Sequence, residues 1–165
     1  MSVIGSWARV QWRKQGVAFA RRGKDPLKIA HRVRHLGDAY STAGRADHAE
    51  RYYDEALAIY RGRPDTKPLD LANALRGLAV VKHGTGAADQ AQPLWQEAHD
   101  LYVSVDAQSG IAESAARLAL LASRRSDLPR SREYLLEARA AADASADDKT
   151  KQYVRQVTAL MESRP

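Results

Sequence analysis

The chain has 165 residues, a formal net charge of +6 and no cysteine. That length suits one domain, and the missing cysteine excludes disulfides, thiolate metal sites and a cysteine nucleophile. No apolar run approaches the roughly 18 residues of a membrane span, and the N-terminus lacks the apolar stretch of a secretory signal, so a cytoplasmic protein with no membrane contact is expected.

Alanine is abundant, Phe occurs once, and no run of β-branched residues alternates with period two; the composition predicts an all-α fold. Residues 6–29 form the first predicted helix. Its Ala8, Trp12 and Phe19 stand at the spacing of Ala49, Tyr53 and Tyr60, shifted by 41 residues. The segment therefore reads as the second helix of a truncated repeat, with that face packed inward. Trp7, Val10 and Val17 fall on other sides of the helix and are expected to form an exposed apolar patch. Such a patch predicts self-association, as a homodimer through this helix, or docking of an upstream segment. The same end is basic: residues 1–35 hold nine cationic side chains and one acid, Asp25. A competing reading is therefore contact with nucleic acid or an anionic surface; a solvated helix face is the plainer one.

Residues 30–67, 68–107 and 108–145 read as three copies of one unit. LGDAYSTAGRADHAERYYDEALAIY at 36–60 aligns without a gap to LAVVKHGTGAADQAQPLWQEAHDLY at 78–102, an offset of 42, and a third copy follows at an offset of 40. Each unit is a helix pair. Val33, Leu36, Gly37 and Tyr40 make one stripe; Ala49, Tyr53, Ala56 and Tyr60 make the next. The glycine-bearing STAGRAD between them suits antiparallel helices. Prolines at 26, 68 and 129 sit near helix starts, and Pro93 predicts an irregular first turn in its helix. Residues 146–165 suit a capping helix with Tyr153, Val154, Val157, Leu160 and Met161 on its packed stripe and Ser145, Asp147 and Asp148 at its start. About eight helices are expected.

His31, His35 and Asp38 share a helix face, but no second ligand pair accompanies them, so neither a metal nor another cofactor is expected. There is no GxSxG, phosphate loop or Rossmann glycine pattern. The reading is of a protein without catalysis of its own.

The first copy, with Val33, Leu36, Gly37, Tyr40, Ala49 and Tyr53, resembles the tetratricopeptide repeat family. The long spacing is similar to that of kinesin light chains, which carry paired asparagines where this chain has Arg76-Gly77. The resemblance implies a right-handed superhelical solenoid of antiparallel helix pairs whose first helices line a concave groove. Carried over, that groove shows His31, Arg34, His35 and Asp38, then Asn73, Arg76, Gly77 and Val80, then Glu113, Ala116, Arg117 and Leu120. Arg34, Arg76 and Arg117 would form a ladder for a protein or peptide partner with acidic side chains; alternatively each arginine pairs with a local acid such as Asp38 or Glu113. The family's clamp for a C-terminal carboxylate is not expected, because Asp38, Gly77 and Glu113 stand where asparagines and a lysine belong. A sensor fragment of a bacterial regulator is a further alternative.

Overall fold

The computed structural model describes residues 3–163, with side chains from residue 5 onward. Among these residues there are eight α-helices and no strand: α1 (Val3–Gly23), α2 (Pro26–Thr42), α3 (Ala46–Arg61), α4 (Pro68–Gly84), α5 (Ala88–Ser104), α6 (Gln108–Arg124), α7 (Leu128–Ala144) and α8 (Asp148–Glu162).

The repeat is visible first in the turns. After α2 the chain closes with Arg45 N–H donating to the Tyr40 carbonyl and Gly44 N–H to that of Ser41. This pair of bonds is a Schellman cap, which needs a left-handed residue at its corner; Gly44 supplies it at φ 71°. The same two bonds recur after α4 with Gly86 at the corner, after α5 with Asp106, and after α6 with Ser126. Gly44, Gly86 and Ser126 stand 42 and 40 residues apart, as the sequence offsets require. Helix starts are set as locally. Asp25 accepts from the N–H groups of Leu27 and Lys28 ahead of Pro26, and Asp127 from that of Arg130 ahead of Pro129. At α8 the cap is Asp147, with Ser145 Oγ accepting from its N–H. α5 is helical throughout Ala88–Ser104, with no break at Pro93.

The chain forms two compact units, one up to Ala91 and one from Gln92. In the first, α1 packs on α2, α2 on α3, and α4 on both α3 and α2. The stripes expected on α2 and α3 are buried: Val33, Leu36, Gly37 and Tyr40 meet Ala49, Tyr53, Ala56 and Tyr60. Small residues open room for aromatics. The Tyr53 ring lies so close to Gly77 that a Cβ there would be 2.4 Å from Cε1. The second unit repeats the device: a Cβ on Gly110 of α6 would be 2.4 Å from Cδ1 of Tyr102 on α5. There α6 packs on α7, and both pack on α8, burying Trp95, Leu118, Ala138, Val154 and Val157. Of the stripe expected on α8, Tyr153 and Met161 are half-buried beside the buried Val154 and Val157, and Leu160 is exposed.

The two faces of α1 are exchanged relative to expectation. Val10 and Val17 are 0% and 4% exposed, whereas Trp12 and Phe19 are 62% and 77% exposed. Of the three residues expected to mediate self-association, only Trp7 is exposed, with the Arg45 guanidinium 5.6 Å from its ring centroid. The correction has a steric reason. Valines let α1 come close to α2, on which it packs, with Val17 and Leu36 lining one cavity; a tryptophan and a phenylalanine on that side would hold the helices apart.

Candidate interaction surface

Helix periodicity places His31, Arg34, His35 and Asp38 along one side of α2, and the structure joins them into one network. Arg34 is buried, and its Nη2 donates to His35 Nε2 at 3.0 Å. His35 Nδ1 is 2.9 Å from Asp38 Oδ2. These contacts are satisfied together when the His35 proton sits on Nδ1, so that Nε2 accepts from the arginine. Arg34 Nη1 reaches the same carboxylate at 3.5 Å, and Tyr53 on α3 donates its hydroxyl to Asp38 Oδ1 at 2.8 Å. His31 extends the chain outward, with its Nε2 at 3.2 Å from that of His35 and its Nδ1 at 4.0 Å from Asp70 on α4.

The electrostatics follow from these neighbours. Burial alone would raise the Asp38 carboxyl, but the hydrogen bonds from His35 and Tyr53 and the charge of Arg34 outweigh it and hold it below its ordinary value. Burial, His35 and Arg34 press the His31 imidazole below its usual range, with Asp70 opposing them. Burial and the Asp38 charge drive the Tyr53 hydroxyl far above the usual range for a phenol. It therefore stays a donor, against the opposing charges of Arg76 and Arg34. A buried arginine needs such partners, since an uncompensated charge costs several kcal/mol.

Asn73, Arg76 and Val80 lie half-buried on α4 in the same unit. Tyr53 links the two helices: it bonds to Asp38 on α2 and packs on Gly77 of α4. Glu113, Arg117 and Leu120 belong to α6 of the second unit and are half-buried there. Arg117 is engaged by aromatics, its guanidinium carbon 4.8 Å from the Tyr153 ring centroid and 5.7 Å from that of Trp95. Helical spacing in the sequence assigns neither Tyr53 nor Asp70 to the α2 cluster. Tyr53 was legible only as core, and nothing in the spacing pairs it with Asp38, fifteen residues away.

One further cluster has the composition of a hydrolytic triad. His99 Nδ1 is 3.0 Å from Ser114 Oγ, and its Nε2 is 3.3 Å from Glu137 Oε1. Ser114 is fully buried and its hydroxyl donates to the Gly110 carbonyl at 2.6 Å. That oxygen is shut off from solvent, and the cluster ties α5 to α6 and α7.

No family model matches the chain, and no curated protein does. Among solved structures it is similar to that of BtubC (BKLC) from P. vanneervenii, with a TM-score of 0.67 and 21% identity over 82% of this chain and 56% of that one. The likeness is one of fold, that of a helical repeat, which this chain builds from packed helix pairs. The present chain spans about half the length of that protein.

Proposed function

We propose that this protein is a non-catalytic, cytoplasmic interaction module of the tetratricopeptide type, with long repeats like those of kinesin light chains. It holds an acidic segment of a partner protein against α2 and α4. The observation that carries this reading is the α2 network. Arg34 is fixed by His35 and Asp38, and Asp38 is itself engaged by Tyr53, so the arginine is preorganised before any ligand arrives. Preorganised side chains lose little entropy on binding. Arg76 on the adjoining helix adds a second cation, and guanidinium–carboxylate contacts are charge-assisted. The similarity to a helical repeat supports a scaffold role in general; the choice of an acidic ligand rests on the residues of α2 and α4.

A displayed peptide library tests the reading. Selection on the intact chain should enrich acidic peptides. Replacing Arg76 with Glu should weaken them by about 1.5–3 kcal/mol each while the helical circular dichroism spectrum stays unchanged. Enrichment without acidic character, or affinity indifferent to Arg76→Glu, would refute it.

A further inference from the structure

Outside the α2–α4 surface, the largest anomaly is the outer side of α1. Trp12 and Phe19 are the two most exposed aromatics of the first unit, and one helix face carries both. Seven residues apart, they are separated by about 10 Å along the axis. Between them is a cavity of about 250 Å³ lined by Trp12, Arg13, Gln15, Gly16, Phe19 and Arg32. Its floor is open because Gly16 has no side chain; the atom nearest to an added Cβ would be Arg32 Cδ, 3.9 Å away. Isolated apolar side chains on a surface are ordinary, but two large aromatics about a recess are the form of a docking site.

The charges select the occupant. α1 carries five cations and no acid between Val3 and Gly23. Arg21 is neutralised by Glu55 at 2.6 Å, and Arg13 lies 5.1 Å from the Trp12 ring centroid. A step of about 100° per residue puts Arg9 and Arg13 on one side of the Trp12–Phe19 line and Arg22 on the other. A second copy of α1 laid on this face would set cations against cations. A flat bilayer would leave the recess unfilled, and Gln15 with Gly16 occupy the middle of the face where an inserting helix needs apolar side chains. A helix with aliphatic anchors at i, i+3 or i+4 and i+7, flanked by carboxylates, fills the recess and answers the charge. We infer that the outer face of α1 is a docking surface for an acidic amphipathic helix of a partner protein, with Trp12 and Phe19 as its anchors.

The test uses the intact chain and a fluorescein-labelled helical peptide about three heptads long, with Leu at its a and d positions and Glu at e and g. Fluorescence anisotropy should show binding, and the same peptide with Lys in place of Glu should not bind. Trp12→Ser and Phe19→Ser should each weaken the Glu peptide by about tenfold or more, while Arg155→Glu, a charge reversal on α8, leaves it unaltered. Both serines replace exposed residues, and circular dichroism checks that the fold is intact. The inference fails if the Glu peptide does not bind, if the Lys peptide binds equally, or if both serine variants bind as the parent does. It fails equally if phosphatidylserine vesicles or a DNA duplex engage this face while the peptide does not. A dimer in sedimentation that Phe19→Ser dissolves, without peptide binding, overturns it in favour of a second copy.

Discussion

Asp38 owes its ionised state to what touches it, and this sets how the first unit answers acid. Burial opposes the charge, while His35, Tyr53 and Arg34 favour it and win. Its carboxyl therefore holds a proton less readily in the folded chain than in the unfolded one. Stability from it is complete above the ordinary value of 3.8 and is lost as pH falls through the lower folded value. His31 has the same sign, because its folded value is also depressed. Its contribution is complete above 6.5 and drains away as pH falls below that. The urea midpoint should accordingly hold steady from about pH 8 to 7 and then decline in two stages, an early one from His31 and a later one from Asp38. His31→Gln should erase the early stage and leave the later one. The early stage is small, since the His31 side chain is half exposed to screening solvent. A midpoint flat down to about pH 4 would contradict this assignment. The sequence could supply the members of the α2 face but not this order among them. Helical spacing aligns side chains on one helix; it does not say that a tyrosine from the next helix completes the set.

At the scale of the element, the corner of each Schellman cap decides how comfortably a helix ends. Gly44 and Gly86 take the left-handed conformation without strain, but Ser126 adopts it at φ 62°. A Cβ in that region costs about 1–2 kcal/mol, partly offset by the greater freedom that glycine loses on folding. Ser126→Gly should therefore stabilise the protein by about 0.5–1 kcal/mol in urea unfolding, and Gly44→Ala should destabilise it by about 1 kcal/mol. A loss of stability in Ser126→Gly would mean that its hydroxyl matters more than its backbone. These ends were largely legible in advance, because glycines and prolines repeat with the helices they punctuate. The orientation of α1 was not. It carries two apolar stripes, Ala8, Trp12 and Phe19 against Val10 and Val17, and periodicity alone cannot rank them. Alignment with the second helix of a repeat favoured the aromatic stripe; close packing on α2 favours the narrower valines.

For the whole chain, the recurrence of packed pairs accounts for the likeness to a helical repeat at only 21% identity. A fold of this kind asks for small and large residues at fixed intervals, such as Gly77 beneath Tyr53 and Gly110 beneath Tyr102, and leaves most surface positions free to differ. The caps carry a further consequence, for time rather than for stability. Even the longer bond of each Schellman pair spans only five residues, and α1 to α4, like α6 to α8, pack on near neighbours in sequence. Little chain entropy has to be surrendered before such contacts repay it, so the search for the native state is short-ranged. Stopped-flow refolding from urea should be complete within about a few milliseconds, the regime of helical proteins with local contacts. A dominant phase lasting seconds would show that some distant pairing, and not the succession of capped helices, governs how this chain finds its structure.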